Sequence, residues 1–406
     1  MDINKAKEIV VMAGKKLVES GLIARTWGNV SCRVSDTQFV ITPSGRAYET
    51  LTPEEIVLVN ISDLSYEGDI KPSSEKGIHA EAYKHRHDVN FVIHTHQINA
   101  SVVSPLGFDI FDISPESAEI IGGYVPVAAY GLPGTGKLRK GVVAAIERAP
   151  ESKAVIMAHH GALCMGSDYD NAFAVASELE KVCMDYILKK YERVTGNVAE
   201  SFASVGELIA SRKSSGPEAP VLTPYDSERD GDEMTLYNAK DEKPVAKIRV
   251  GSGMVLGDGE MPAEAEMHRA IYLKRKDINS IVHSVDRDIK TVSTFNMTLK
   301  PLLDDCAQIA GATVKTAFFS PDNAAADAQK VVKKMRSRSA VMLKDNGALC
   351  CGPSRYDAQA TEMVMDKGCK TYLGAALFNK IKPINPIETR LMRFIYVTKY
   401  SKKAGK

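Results

Sequence analysis

Apolar and polar positions change period along this chain, and the changes outline its elements. The opening stretch MDINKAKEIVVMAGKKLVES (1–20) sets apolar residues at helical spacing with charges throughout, which predicts an amphipathic helix. Two short β-branched runs, FVITP (39–43) and IVLVNIS (56–62), are bounded by turn residues and predict strands. SSEKGIHAEAYKHR (73–86) returns to helical periodicity, and NFVIHTH (90–96) and AVIMAHHGALCMG (154–166) each read as a buried strand. NAFAVASELEKVCMDYILKKYERV (171–194) closes the series as a long helix. Strands alternating with helices imply an α/β fold with a central sheet covered by helices.

The pattern is then written a second time. HAEAYKHRHDVNFVIHTH (79–96) aligns without a gap on HRAIYLKRKDINSIVHSV (268–285), pairing His79 with His268, Tyr83 with Tyr272 and His94 with His283. AVIMAHHGALCMG (154–166) aligns on AVMLKDNGALCCG (340–352). The offset is 189 residues at the first match and 186 at the second, so the repeat is the size of a domain. The expected organisation is a first domain over 1–200, a linker over 201–233 rich in Ser, Pro, Gly and charge, and a second domain over 234–406.

Bulk composition narrows the function classes without choosing one. A 406-residue chain with 44% hydrophobic and 25% charged residues is ordinary for a soluble globular protein of two domains. A net charge of +1 gives no electrostatic footprint for nucleic acid or an anionic membrane. No signal-peptide pattern or membrane-length apolar run is present, and the seven cysteines show no CxxC spacing, which together predict a cytoplasmic protein with reduced thiols.

The candidate chemistry lies in the first copy, which holds seven of the nine histidines. His94 and His96 are two apart at the end of an apolar strand, so both imidazoles face one side and can converge on a metal that still needs further ligands. His159 and His160 are adjacent at the end of another apolar run, point to opposite faces if that run is a strand, and so offer at most one ligand. Ser73 and Ser74 are placed to cap the helix opened by KPSSE (71–75), and a helix start favours anions. Glu75 falls on the first turn with His79 one turn later on the same face, which suits His79 to a hydrogen-bonded supporting role. RTWGNVS (25–31) and TPSG (42–45) are polar turns whose small residues let backbone approach a ligand. GLPGTGKL (131–138) has P-loop glycine spacing but ends in Leu138 where Ser or Thr would be needed, and GSGMVLGDG (251–259) lacks the third glycine of a dinucleotide fingerprint.

Taken in order, GNVS, TPSG, KPSSE, HTH and HHG resemble the class II aldolase/adducin family over about residues 5–195, and more faintly over about 235–400. The resemblance implies a three-layer sandwich with a central mixed sheet, in two tandem copies. It implies Zn²⁺, or Fe²⁺ or Mn²⁺ in the same ligands, held by His94, His96 and His160, with Glu75 as resting-state ligand or catalytic acid/base. It assigns a substrate phosphate to Gly28, Asn29, Ser44, Gly45, Ser73 and Ser74, and leaves His159 and His79 behind the ligands.

The function so implied is a metal-dependent aldolase-type lyase of carbohydrate metabolism, cleaving a small ketose 1-phosphate through a metal-stabilised enediolate. Epimerisation, dehydration or decarboxylation of a sugar or sugar-acid phosphate would use the same site, and a non-catalytic adducin-like scaffold is the alternative from another class. The family's tyrosine acid has no match in FDIFDISPESAEIIGG (108–123), where Glu116 falls near the place. In the second copy Val285 and Asn346 stand opposite His96 and His160, leaving His283, His268 and Glu264, so no metal is expected there. The family's fourfold rings imply a homo-oligomer in which a dimer makes a pseudo-tetramer of domains, with a phosphorylated sugar as the small-molecule partner.

Overall fold

The computed structural model describes residues 1–23 and 27–400, without the side chains of 399 and 400. Arg25 and Thr26 of the RTWGNVS stretch lie outside the described residues. The chain divides into two compact units, one built on 1–198 and the other on 199–377 with 383–399.

In the first unit, α1 (Ile3–Glu19) starts on an Asp2 cap and lays Ala6, Val10, Ala13 and Leu17 on the sheet. There follow β1 (Gly28–Arg33), β2 (Gln38–Ile41), β3 (Val57–Asn60), α2 (Lys76–His85), β4 (Phe91–Thr95), α3 (Ile98–Val103) and α4 (Pro115–Ile121). β5 (Val127–Ala128), α5 (Gly136–Arg148), β6 (Ala154–Met157), β7 (Ala162–Gly166) and α6 (Tyr169–Thr195) complete it. The sheet runs β3-β2-β1-β4-β7-β6-β5, antiparallel except for the β5–β6 pair. Helices α2 and α5 cover one face through Ile78, Tyr83, Leu138, Val142 and Ile146, and α1 and α6 pack on the strands from the other side, giving three layers.

The second unit repeats this order. α7 (Phe202–Lys213) precedes β8 (Tyr225–Asp230), β9 (Glu233–Asn238), β10 (Pro244–Arg249), α8 (Ala265–Lys274), β11 (Ser280–Ser284) and α9 (Arg287–Ser293). Then come β12 (Thr298–Leu299), α10 (Asp304–Ile309), β13 (Val314–Ala317), α11 (Ala324–Met335), β14 (Ala340–Leu343), β15 (Ala348–Gly352), α12 (Arg355–Leu377) and α13 (Pro386–Ile395). Its sheet, β10-β9-β8-β11-β15-β14-β13-β12, is the first sheet's order with one added edge strand. The fold is thus a tandem α/β three-layer sandwich. No described helix is long and apolar enough to cross a membrane.

Four expectations need correction. The 201–233 segment is not all linker: Phe202, Val205 and Ile209 recur at helical spacing and bury as the face of α7, while β8 pairs with β9 and β11. The apolar run 154–166 is a hairpin and not one strand, because the chain reverses at Ala158–Gly161 between β6 and β7. Gly28–Ser31 is the start of β1 and not a turn, paired to β4 with Asn29 opposite His94. α2 begins at Lys76, so Glu75 is its N-cap position, and neither Ser73 nor Ser74 caps it from the side chain.

An arginine ties helix to sheet in both units, buried in the first and half-buried in the second. Arg33 on β1 donates to the carbonyls of Tyr83, Arg86 and Val89, satisfying the open C-terminal end of α2 and the turn into β4. Arg229 repeats this on Tyr272 and Lys276 in the second unit. Replacing Arg33 by Leu strands those buried carbonyls, at a cost of about 2–4 kcal/mol. Urea unfolding of the variant should show its first-unit transition at lower denaturant, whereas an unchanged midpoint would contradict this role.

Candidate metal centre

β4 is the middle strand of the sheet, flanked by β1 and β7, and its last turns of pleat carry the chemistry. His94 lies between Asn29 on β1 and Leu163 on β7 in register. The β6–β7 turn brings His160 in from the side. His159 takes the left-handed conformation, φ 62°, and this reverses the chain so that His160 rather than His159 reaches the site. Gly161 then passes against β4, where a Cβ would collide with the Thr95 carbonyl and press on the His94 ring. The strand argument for two adjacent histidines therefore did not apply, since both sit in a turn.

Glu75, His94, His96 and His160 each offer a ligating atom, and these atoms lie within 4.8 Å of one another. His94 Nε2 is 3.0 Å from Glu75 Oε2 and 3.0 Å from His96 Nε2, and His160 Nε2 is 2.9 Å from Glu75 Oε1. Donors around a tetrahedral ion at about 2.0–2.1 Å stand about 3.3 Å apart, so the spacing suits a single small divalent cation. The donor set also fits chemically. His94 Nδ1 donates to the Ala162 carbonyl at 2.9 Å, which fixes the ring and leaves Nε2 directed at Glu75 and His96.

Burial alone would raise the Glu75 carboxyl, but the adjacent His160 and His94, by charge and by hydrogen bond, hold it well below the usual range. Glu75 is thus a buried carboxylate, and a directed chain of hydrogen bonds orients it. Asn29 Nδ2 donates to Glu75 Oε2 at 3.3 Å, and Asn29 Oδ1 accepts from His79 Nε2 at 2.5 Å. His79 Nδ1 then accepts from Ser31 Oγ at 2.7 Å, and Ser31 Oγ accepts from the Tyr83 hydroxyl at 2.7 Å. Burial, with the nearby His94, lowers His79 to about 3, so it works as a neutral imidazole with one donor and one acceptor.

The six residues expected to hold phosphate lie on three short segments, at 28–29, 44–45 and 73–74, and the first and last of these bond Glu75. Asn29 touches Glu75 directly, and the Tyr48 hydroxyl donates to the Gly28 carbonyl. Ser44 and Gly45 follow Thr42–Pro43, which pairs with Pro72–Ser73, and Ser73 Oγ accepts from the Glu75 amide at 3.2 Å. Ser74 is exposed beside them. Glu116, in contrast, is exposed on the first turn of α4 and its carboxyl is lowered chiefly by the Ser114 hydroxyl. GLPGTGKL is the loop into α5, capped by Thr135. GSGMVLGDG follows β10 and leads into no helix before α8.

Three residues near the site carried no motif. Tyr130, before the α5 loop, packs edge-on against His159 with ring centroids 5.3 Å apart. Lys76 and Arg139 share a pocket with Ser74 and Glu75. Their only sequence signal was position next to a motif, which does not fix contact.

The family description Class II Aldolase and Adducin N-terminal domain matches residues 8–187 and again 227–373. The chain belongs to this family. It is 33% identical over 216 residues to a 5-deoxy-D-ribulose 1-phosphate aldolase of Bacillus thuringiensis serovar kurstaki, a match covering 51% of this chain and 100% of the relative. It is 33% identical over 187 residues to the L-fuculose phosphate aldolase of Escherichia coli K12, covering 46% of this chain and 85% of the relative. A solved L-fuculose 1-phosphate aldolase aligns at 31% identity with a TM-score of 0.44, covering 51% of this chain and 95% of that one.

The second class II aldolase copy keeps the skeleton of the site and fills it with its own chain. Ser227 Oγ bonds His268 Nδ1 at 2.7 Å and Tyr272 at 2.8 Å, as Ser31 does with His79 and Tyr83. Tyr225 stands where Asn29 would, and among the described residues His268 Nε2 has no hydrogen-bond partner. At the places of Glu75, His160 and His159, the side chains of Glu264, Asn346 and Asp345 accept from the amides of Thr223, Leu222 and Ala219 at 3.1, 2.9 and 2.8 Å. Asn346 Nδ2 returns a bond to the Pro220 carbonyl at 2.9 Å. Residues 219–223 therefore strap the positions that match the candidate ligands Glu75 and His160 of the first copy. Among the described residues only the first copy brings three or more potential ligands together.

His268 gives a pH test of this buried skeleton. Burial, then the nearby His283, lowers it to about 3, below its unfolded value near 6.5. Below pH 6.5 the unfolded chain gains a proton that the folded chain refuses, so this stabilisation is present above 6.5 and declines as pH falls toward 3. Relative to His268→Gln, the wild type should lose up to about 1.4 kcal/mol per pH unit below 6.5. Urea midpoints of the two proteins at pH 7 and pH 5 read this directly, and a pH-independent difference would refute it.

Proposed function

We propose that the first copy is a divalent-metal-dependent, aldolase-type carbon–carbon lyase that cleaves a small ketose 1-phosphate, with Zn²⁺ as the metal. The observation that carries the reading is the convergence of Glu75, His94, His96 and His160. The relatives named as sugar-phosphate aldolases support it, each matched over most of its length. A scaffold has no use for three imidazoles and a carboxylate gathered in a buried space, where their desolvation is costly.

A divalent ion at these ligands supplies Lewis acidity, lowering the energy of the enediolate charge left when the carbon–carbon bond breaks. The chain's own residues do the rest. Asn29 and Ser73 hold Glu75 by side chain and by backbone, so its carboxylate stands fixed beside the ligands. In cleavage of a ketose 1-phosphate the hydroxyl on C4 loses its proton, the C3–C4 pair moves toward the C2 carbonyl, and C3 is then protonated. Glu75, ionised at rest, takes up and returns that proton. Ser44, Ser73, Ser74, Asn29 and the amides at Gly28 and Gly45 anchor the phosphate, whose binding energy fixes orientation. His79 and His159 position the residues in front of them. The two copies of one sheet order in each chain fit a homodimer standing as a pseudo-tetramer of domains.

Cleavage of ketose 1-phosphates should vanish with chelator and return with added metal. Glu75→Gln should lower kcat by roughly 100- to 10,000-fold, and His96→Ala should lose metal and activity together. Turnover that survives complete metal removal would sink the proposal.

A further inference from the structure

The residues so far assigned to substrate phosphate are all neutral, whereas a phosphate monoester at neutral pH is close to a dianion. A site of hydroxyls and amides alone leaves that charge to be balanced elsewhere. Beside Ser74 the first copy holds a pocket of about 120 Å³ whose walls include Ser74, Glu75, Lys76, Thr135 and Arg139. Lys76 follows Glu75 at the start of α2, and Arg139 reaches over from the first turns of α5. Gly77 makes room for it: a Cβ there would collide with the Arg139 stem.

Two cations on one small pocket repel each other and need a reason to be there. Among the described residues neither makes an ion pair, and the Lys76 ammonium lies over the Tyr66 ring, 5.7 Å from its centroid. The one carboxylate in the wall, Glu75, is engaged by His94, His160 and Asn29. Ser74 belongs both to this pocket's wall and to the neutral set expected to hold phosphate.

We propose that Lys76 and Arg139 form the cationic half of an anion site beginning at Ser74, and that the group it takes is the substrate's phosphate monoester. This deepens the sugar-phosphate reading of the metal centre and rests on it for the substrate. Lysine supplies a mobile point charge, and arginine a planar fork that matches two phosphate oxygens. The site would then select phosphorylated over free sugars by charge as well as by hydrogen bonding.

The test uses the metal-loaded full chain with inorganic phosphate as probe in calorimetry, together with KM for a ketose 1-phosphate. Lys76→Met and Arg139→Gln should each weaken phosphate binding at least tenfold and raise KM, with metal content unchanged. Arg139→Lys should recover part of the affinity, since it keeps the charge and loses the fork. If both charge-removing variants stay folded, keep their metal and bind phosphate as the wild type does, the inference is wrong although the metal-centre reading stands. Phosphate binding that depends on the two cations in a chain that holds no metal would leave the anion site intact and overturn the lyase proposal.

Discussion

A buried carboxylate is the constraint around which the first copy is built. Glu75 is ionised in a space where an unpaired charge would cost several kcal/mol, and its neighbours are the means of keeping it there. His94 and His160 face one oxygen each, and Asn29 holds the first of these from the opposite strand. Asn29 is in turn fixed by a neutral His79, and His79 by Ser31 and Tyr83. Pairing β1 with β4 in the observed register sets Asn29 opposite His94, so a shift of one residue would send the two to opposite faces and dismantle the site.

The second copy shows what remains when that constraint is lifted. The Ser–His–Tyr cluster, the arginine under the helix end and the sheet order all persist, because they hold a helix on a sheet whatever the site does. What changes is how polar groups at the matching positions are satisfied. Glu264, Asp345 and Asn346 accept from backbone amides of residues 219–223, so their oxygens are satisfied without an ion. The positions that match the first copy's candidate ligands serve here as an anchor for the chain leading into its own domain.

Much of this was legible from local spacing. His94 and His96 needed only the period of a strand, and the repeat was visible because the apolar register of β4 survives in β11. Choosing His160 over His159 was beyond strand logic, since a left-handed turn decides it. α7 was hidden by serine and glycine around Phe202, Val205 and Ile209, and the hairpin at 158–161 by unbroken apolar residues on both sides. Residues 219–223 were unreadable because their role is played by backbone amides. Lys76 and Arg139 meet only because α2 and α5 pack on the same face, a tertiary fact with no local trace.

The claim that one chain carries one metal centre and one strapped relic is tested most directly by anomalous diffraction from zinc-loaded crystals. A single peak per chain is expected, bounded by Glu75 and the imidazoles of His94, His96 and His160, with residues 219–223 still on Asn346 and Glu264. A peak of comparable height beside His283 and Glu264, or none among the four first-copy ligands, would contradict it.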